Sequence, residues 1–451
     1  MDIINSPSSE VSLSWVLDSL HSGATESLTV ALASLHPADI ANLLEAMPPE
    51  ERELLWEQVE PSIEGEVLAY LHDEARASII EEMDDAELLA ATEQMDVEDL
   101  ATVLEELPSD VSGTLLESLD QDRRARLQTV LAYDDGTAGR IMSVDLLSVR
   151  PDVSLAVVLR WLRLHESLPA HTDAIMVVDE QGAYKGKLSL EMIVTRSADL
   201  LVEAVMDTAS ETVLVSTTEH EIAALFERRD LISVAVVDEQ RKLLGRITVD
   251  DVVDIIREEA EHSLMRSAGL DEEEDLFAPV IPSAQRRGVW LGINLVTVFM
   301  AAWVIGQFSE ALDQIVALAV LMPVVASMGG IAGSQTLTLT IRGMALDQIA
   351  AGNTRWLLMK EVSVGALNGS VWAIVVALVS YIWFSSIGLS LIIGVALVLN
   401  LLAAALAGIL VPLTLKKMGI DPALSGAVIL TTVTDIIGFL SFLGLASLFL
   451  L

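Results

Sequence analysis

Apolar and polar residues are arranged in three different ways along the chain, and each arrangement predicts a different architecture. Apolar positions recur every twelve residues over 36–136, short β-branched runs alternate with amphipathic segments over 137–258, and five long segments after residue 288 are almost free of charge. These patterns are typical of stacked short helices, of strands between helices, and of membrane-spanning helices, respectively. We therefore predict a multidomain protein with an all-α superhelical domain, an α+β tandem, and an all-α membrane domain of five helices.

The twelve-residue pattern repeats eight times. Frames that begin at residues 44 to 128 each place an apolar residue three positions on: Met47, Val59, Leu71, Met83, Met95, Leu107, Leu119 and Leu131. Turn and N-cap residues such as Pro48-Pro49-Glu50 follow several of them, which predicts helices of about two turns. Such helices bury their apolar faces only by stacking, so we expect an acidic superhelix over 36–136, after a flexible leader at 1–35. The Met and Leu residues are predicted to form its core.

A second internal repeat has an offset of 59 residues. Val177-Val178-Asp179-Glu180-Gln181 recurs as Val236-Val237-Asp238-Glu239-Gln240, and Gly186-Lys187-Leu188-Ser189 recurs as Gly245-Arg246-Ile247-Thr248. Each copy predicts helix, strand, turn, strand and helix. The pair resembles tandem cystathionine-β-synthase (CBS) domains, at about 137–200 and 201–258.

CBS domains often bind adenine nucleotides, and a Thr/Ser-x-x-Asp element holds the ribose in those that do. The second copy carries this element as Thr248 and Asp251, whereas the first reads Ser189-Leu190-Glu191-Met192 and lacks the aspartate. The resemblance therefore implies one nucleotide site per chain, for ATP, rather than two.

Five uncharged segments, at about 288–307, 315–341, 362–384, 389–415 and 422–451, predict five membrane spans. Basic residues collect at alternate ends of these segments, so the positive-inside rule places the N-terminus in the cytosol and the C-terminus outside. The first residues lack the basic and apolar regions of a signal peptide. We predict a multi-pass protein in the lipid of a bacterial inner membrane.

The fifth segment contains a single carboxylate, Asp435, near its middle. An aspartate at that depth costs about 2.5–3.5 kcal/mol on insertion scales, so it is expected to face a polar path rather than lipid. We interpret Asp435 as a cation site. The second segment contains Pro323 and the glycines Gly329, Gly330 and Gly333, which indicate either a break in a pore-lining helix or close helix packing.

The region 259–287, between the CBS tandem and the membrane domain, is predicted to be an acidic linker helix region that continues from an acidic helix. Asp251, Asp254, Glu258 and Glu261 share one face of that helix at i, i+3 and i+4 spacings. Mg²⁺ prefers oxygen ligands and would relieve the repulsion between these carboxylates. A solvated acidic face is the alternative interpretation.

Charge is distributed unevenly between the two parts of the chain. The protein has 66 acidic and 26 basic residues, of which 60 and 21 lie in residues 1–287, and it has no cysteine. A strongly acidic cytosolic part repels nucleic acid and attracts divalent cations. Without cysteine, disulfides and thiolate metal sites are excluded.

The order of acidic superhelix, CBS tandem, acidic linker helix and five spans resembles the MgtE family of magnesium channels, over about residues 36–451. The local motifs agree: Gly329-Gly330-x-Ala332-Gly333-Ser334-Gln335 with Ile341-Arg342-Gly343 in the second span, and Asp421-Pro422-Ala423, Thr431-Thr432 and Asp435 at the fifth. The resemblance implies a homodimer whose second and fifth spans line one ion path, with Asp435 from each chain as the selectivity filter and Asp421 at the cytosolic approach.

The resemblance also implies carboxylates that sense cytosolic Mg²⁺. They map onto Asp251, Asp254 and Glu259 in the linker helix, onto Asp230 in the second CBS copy, and onto Asp99 in the superhelix. Two departures from the family's pattern matter. Ile331 replaces an asparagine of many members, so any ligand role of that amide is absent here. Ala260-Glu261-His262-Ser263 replaces an acidic pair, so the sensor is expected to be weaker or to shift onto Glu258 and Glu261.

These features predict a Mg²⁺ channel rather than an enzyme. A membrane potential of about 100 mV contributes about 4–5 kcal/mol to inward movement of a divalent ion, and the chain has no nucleotide-hydrolysing Gly-x-x-x-x-Gly-Lys loop. The expected feedback is closure by cytosolic Mg²⁺ bound between acidic domains. The alternatives are an H⁺-coupled or Co²⁺/Ni²⁺-preferring transporter, and a membrane-anchored CBS nucleotide sensor.

Overall fold

The computed structural model describes residues 11–93, 95–107, 109–165, 167–270, 275–346, 348–350 and 352–451. They form two compact units, one within Met1–Glu261 and Glu273–Ala278 and the other within His262–Glu272 and Pro279–Leu451. The predicted fold class is confirmed: a helical superhelix and an α+β tandem lie in the first unit, and long apolar helices lie in the second.

In the part of residues 11–136 that the structure describes, the superhelix has ten short helices: α1 (Leu13–Ser22), α2 (Thr25–Leu32), α3 (Pro37–Glu45), α4 (Pro49–Trp56), α5 (Glu64–Tyr70), α6 (Asp73–Glu82), α7 (Asp85–Thr92), α8 (Val97–Glu106), α9 (Ser109–Ser118) and α10 (Gln121–Val130). From α3 onward every helix except α5 begins on the twelve-residue period. All eight periodic apolar residues belong to one hydrophobic core or pack against it. The predicted core role of these Met and Leu residues is therefore confirmed.

The segment expected to be a flexible leader contributes two helices to this core. Val16 of α1 and Leu28 and Leu32 of α2 are at most 1% exposed and lie in the same apolar cluster as the periodic residues. Sequence reasoning missed these helices because the twelve-residue frame begins only at Leu44. Gly23 ends α1 in the left-handed region, at φ 72°, where glycine carries no steric penalty.

Two arginines separated by two of these repeats, 24 residues, cap the preceding helices. Arg52 donates from Nε to the carbonyl of Leu44 and from Nη2 to that of Met47. Arg76, two repeats later, donates from the same atoms to the carbonyls of Leu68 and Leu71. Each guanidinium thus binds carbonyls eight and five residues earlier, where a helix end leaves acceptors without intrahelical donors.

The next position at this 24-residue spacing holds Leu100, whose side chain cannot donate a hydrogen bond. The carbonyls eight and five residues before it belong to Thr92 and Met95, at the end of α7. Both accept hydrogen bonds from Nη2 of Arg123 on α10. A side chain from three helices further along the chain therefore caps this helix end.

The α+β tandem contains two three-stranded sheets of identical topology. The first has β1 (Ser148–Val149), β2 (Ala174–Val178) and β3 (Tyr184–Ser189), and the second has β4 (Thr212–Leu214), β5 (Ser233–Val237) and β6 (Leu243–Thr248). In each sheet the first strand is parallel to the second, and the second is antiparallel to the third. The 59-residue repeat in the sequence therefore corresponds to two sheets with the same strand order and the same pairing directions.

Helices flank and follow the two sheets: α11 (Ala138–Ile141), α12 (Leu155–Leu162), α13 (Leu190–Thr195), α14 (Glu219–Arg229) and α15 (Val249–Ala268). The two copies contact each other directly. Tyr184 donates its backbone N–H to the carbonyl of Arg241, and Leu243 donates to that of Gly182. α15 is the acidic helix expected from the sequence, and it continues about three turns beyond the second CBS copy.

Among the described residues, the second unit contains five helices long and apolar enough to cross a membrane, together with the short α17 (Ser309–Gln314). The long helices are α16 (Val280–Gly306), α18 (Ala317–Ala345), α19 (Thr354–Phe384), α20 (Ile387–Lys417) and α21 (Pro422–Phe449). Helix α20 is central and packs against α18, α19 and α21. The protein is thus a multi-pass membrane protein.

Two of these helices begin earlier than the uncharged segments that predicted them. α16 starts at Val280 rather than residue 288, and α19 starts at Thr354 and includes Arg355, Lys360 and Glu361. Helix formation continues into polar sequence because charged residues extend a helix readily where it leaves the apolar layer. The length of an uncharged run therefore underestimates the helix.

Candidate functional site

Asp435 lies at the midpoint of α21, as the fourteenth residue of the helix. Its side chain is half-buried, and the described part of the chain offers its carboxylate no hydrogen bond and no ion pair. Thr431 and Thr432, one turn earlier, donate to carbonyls of their own helix. A carboxylate at membrane depth without a protein partner requires water or a cation to compensate its charge.

The glycines of α18 serve close packing rather than a break. α18 is helical throughout Ala317–Ala345 despite Pro323. A Cβ on Gly329 would lie 2.2 Å from the amide nitrogen of Asn400, and one on Gly333 would lie 3.0 Å from Leu430. Of the two interpretations of this segment, the structure favours small residues that let α18 approach α20 and α21.

Asp421 occupies the N-cap of α21. Its Oδ1 accepts a hydrogen bond from the N–H of Ala423 at 2.8 Å, and its Oδ2 lies 3.4 Å from Nη1 of Arg266, in the last turn of α15. Fourteen residues of helix separate Asp421 from Asp435, which is about 21 Å at 1.5 Å per residue. The two carboxylates therefore cannot bind one ion together.

The partly buried Asp99 experiences the negative charges of Asp251 and Asp254, which the positive charge of Arg76 offsets in part. Burial raises the pKa of the Asp99 carboxyl to about 6, and the charges of Asp96, Asp251 and Asp254 add to the effect. Burial likewise raises the pKa of Asp251. The superhelix and the start of α15 thus share a region of unfavourable negative charge, in which a cation would be stabilised.

Thr248 and Asp251, the predicted ribose-binding pair, bind each other. Oδ2 of Asp251 accepts hydrogen bonds from the N–H of Thr248 at 2.8 Å and from its Oγ1 at 3.1 Å. This contact caps the first turn of α15, which begins at Val249. Nucleotide binding at this element stays a prediction.

The remaining predicted ligands lie on exposed surfaces. Glu258 and Glu259 are exposed on α15, and Glu259 accepts a hydrogen bond from His220 at 2.7 Å. Burial raises the pKa of the neighbouring Glu219 to about 6, with contributions from the charges of Glu258 and Glu259. Asp230 is exposed at the end of α14, in the left-handed region at φ 49°.

Within the described ranges, no group of three His, Asp or Glu side chains is arranged to hold a metal ion. The three carboxylates around Asp99 are close enough to shift a pKa, yet they do not form a compact ligand cage. The assignment of metal-binding roles to Asp99, Asp230, Asp251, Asp254, Glu258, Glu259, Asp421 and Asp435 therefore stays a prediction.

Sequence reasoning missed three polar contacts. Glu361, which directly precedes the uncharged segment 362–384, is buried and accepts a hydrogen bond from Thr336 of α18 at 3.1 Å. Asn400 is fully buried in α20. The sequence feature that could have drawn attention to it is an amide inside an uncharged segment. His72 of the superhelix bridges Glu45 at 3.0 Å and Glu261 of α15 at 3.2 Å.

Family models match three parts of the chain. One described as a divalent cation transporter matches residues 322–445, one described as the MgtE intracellular N domain matches residues 35–136, and a CBS domain matches residues 202–258. The first match contains Asp435, and the second contains Asp99.

Curated relatives match most of the chain. Magnesium transporter MgtE of Thermus thermophilus is 30% identical over 439 residues, which are 96% of this chain and 97% of that protein. Magnesium transporter MgtE of Enterococcus faecalis is 27% identical over 329 residues, 73% of this chain and 72% of that protein. Among solved structures, the cytosolic domain of the Mg²⁺ channel MgtE in complex with ATP is 28% identical, with a TM-score of 0.49, and covers 54% of this chain and 100% of that one.

Proposed function

This chain belongs to the MgtE family of divalent cation transporters, and on that premise we propose that it conducts Mg²⁺ into the cell down the membrane potential. The observation that carries the proposal is Asp435, an unpaired carboxylate at the midpoint of α21, within the part that matches the transporter family. A charge in that place is costly unless it compensates a cation on a polar path.

In the proposed assembly two chains pair, and α18 and α21 of each line one path through the membrane, with the C-terminus outside. Asp435 of both chains then faces the ion. Because Mg²⁺ sheds water reluctantly, the carboxylates act best by hydrogen bonding to its hydration shell, and the path selects by charge and size. The large unburied share of α16 and α19 is consistent with contact to lipid or to a second chain.

Cytosolic Mg²⁺ closes the path in this proposal. The repulsion that Asp251 and Asp254 exert on the partly buried Asp99 supports a regulatory cation between the superhelix and α15, because a divalent ion would relieve it. The ion pair between Arg266 at the end of α15 and Asp421 at the start of α21 offers a connection to the fifth span. Asp421 then acts through this contact rather than as a second ion ligand.

The test of transport is Mg²⁺ flux into liposomes that contain the full chain, with the membrane potential set by a K⁺ gradient. Asp435→Asn is expected to abolish the flux, because it keeps the shape of the side chain and removes its charge. Asp313→Asn is the matched control, since Asp313 is a carboxylate of the same unit on the short α17.

Flux that persists in Asp435→Asn would refute the filter assignment. Dependence of the flux on a pH gradient would favour H⁺ coupling, and faster flux of Co²⁺ or Ni²⁺ than of Mg²⁺ would favour the other transporter class. A wild-type chain that carries none of these ions would refute the proposal itself. For the gate, Arg266→Gln is expected to retain flux at internal Mg²⁺ concentrations that close the wild type.

A further inference from the structure

Asn400 is a fully buried amide in the middle of α20. Its Nδ2 donates a hydrogen bond to the backbone carbonyl of Val325 in α18, at 2.9 Å. Among the residues that the structure describes, its Oδ1 has no hydrogen-bond partner. An amide that uses only part of its hydrogen-bonding capacity inside a membrane protein is costly, so its presence requires a structural or functional reason.

Two glycines make room for this amide on two different helices. A Cβ on Gly329 of α18 would lie 2.2 Å from Nδ2 of Asn400, and a Cβ on Gly438 of α21 would lie 2.8 Å from the same atom. Neither position can accept a larger residue unless Asn400 moves. The side chain therefore forms a wedge that determines how closely α18 and α21 approach each other at this level.

The wedge lies beside the proposed filter. Gly438 follows Asp435 by three residues, which is about 4.5 Å along the helix axis. Asn400 holds the two helices differently: α18 is tied by a hydrogen bond to its backbone, whereas α21 is held by packing alone. A change in the wedge would shift α21, and with it Asp435, relative to α18.

We propose that Asn400 is a positioning residue for ion selection, because it fixes the separation of α18 and α21 next to Asp435. This inference rests on the proposed function, in which these two helices line the ion path. A path that selects by charge and size depends on the spacing of its walls. Asn400 thereby controls the discrimination between Mg²⁺ and other cations without contacting the ion.

The first test measures selectivity in Asn400→Leu, which keeps a similar volume and removes the amide. The full chain is reconstituted into liposomes, and Mg²⁺ flux and K⁺ flux are measured on the same preparation, with thermal unfolding in detergent as a folding check. The matched control is Ser390→Ala, since Ser390 is buried in the same helix and donates only to the carbonyl of Ser386, at 2.8 Å.

We expect Asn400→Leu to lower the ratio of Mg²⁺ to K⁺ flux about three- to tenfold, which corresponds to the loss of one interhelical hydrogen bond of about 0.6 to 1.4 kcal/mol. Ser390→Ala should leave the ratio unchanged. A folded Asn400→Leu protein with the selectivity of the control would overturn the inference. A wild-type chain without Mg²⁺ flux would instead refute the proposed function.

If Asn400→Leu does not fold, a second pair of variants tests the positioning role of Asn400. Gly329→Ala places a methyl group against the amide, and Asn400→Ala removes the amide and leaves space for that methyl group. Because the double variant restores the space but lacks the amide, it is expected to recover the thermal stability that Gly329→Ala loses and to remain less selective for Mg²⁺ than the wild type. Gly292→Ala is the control, because a Cβ there has no neighbouring atom within 4 Å. A folded double variant with the Mg²⁺ selectivity of the wild type would contradict the positioning role of Asn400.

Discussion

Replacing Asp99 by asparagine is predicted to stabilise the metal-free protein at neutral pH. Burial and the charges of Asp96, Asp251 and Asp254 raise the pKa of the Asp99 carboxyl from 3.8 to about 6. Because this pKa is higher in the folded state than in the unfolded state, protonated Asp99 favours folding. That contribution is complete below the unfolded pKa of 3.8 and is lost as the pH rises through about 6.

The magnitude follows from the size of this pKa difference. A difference of about two pH units corresponds to about 3 kcal/mol at pH 7.5, and relaxation of the charged group reduces this, so we expect about 1–3 kcal/mol. Asparagine keeps the shape of the neutral acid and cannot ionise, so Asp99→Asn should recover this free energy. At pH 4.5 the gain should fall to about a third of its neutral value, because Asp99 is then mostly protonated in the folded protein.

The assay is scanning calorimetry of the full chain in detergent with a chelator present, at pH 7.5 and pH 4.5. At about 2–4 °C per kcal/mol for a domain of this size, Asp99→Asn should raise the unfolding temperature of the first unit by about 4 °C at pH 7.5. Glu53→Gln is the control, since Glu53 is an exposed carboxylate of the same superhelix. Glu53→Gln should change the unfolding temperature little at either pH.

Addition of Mg²⁺ completes the test. A cation that binds between Asp99, Asp251 and Asp254 stabilises the wild type at pH 7.5, and it should stabilise Asp99→Asn less because one carboxylate is gone. Equal Mg²⁺-induced shifts in both proteins would exclude Asp99 as part of a regulatory site. A pH-independent effect of Asp99→Asn would refute the electrostatic reasoning altogether.

Three further predictions concern stability, and calorimetry checks each of them. Gly65→Ala should destabilise the superhelix strongly, because a Cβ there would lie 2.1 Å from a backbone oxygen, whereas Gly113→Ala, with nothing within 4 Å, should stabilise it by about 0.5–1 kcal/mol. Arg52→Met should cost about 3–5 kcal/mol, because it leaves the partly buried Asp275 without its 2.6 Å ion pair. Glu361→Leu should destabilise the membrane unit by about 1–2 kcal/mol, since the buried Thr336 loses its acceptor; stability equal to wild type would show that another acceptor replaces it.

The sequence predicted the architecture because each domain repeats a strong local pattern. The twelve-residue period located α3 to α10, the 59-residue offset located the two sheets, and the absence of charge located five spans. These patterns arise from burial of one helix face, one sheet face or a whole helix, and such burial leaves a regular trace along the chain. The single carboxylate of the fifth segment pointed to Asp435, and the resemblance to a known family then implied its role as a filter.

Contacts between residues that are distant in the chain produce no such regular pattern in the sequence. Nothing near Asp99 shows that Asp251 and Asp254 lie beside it, and nothing near Glu361 distinguishes a buried acid from a charge that ends a span. The role of Asn400 depends on glycines 71 residues earlier and 38 residues later in the chain. Tertiary packing decides these contacts, and a single sequence does not record it.

The capping of α7 by Arg123 has a consequence for how the superhelix opens. A stack in which each helix contacts only its neighbours can unfold from either end, one helix at a time. Arg123 on α10 instead ties its own helix to the end of α7, so α7 to α10 must open together. Amide hydrogen exchange should therefore be uniformly slow across these four helices, and the stretch that carries Asp99 would respond to a cation as one cooperative block.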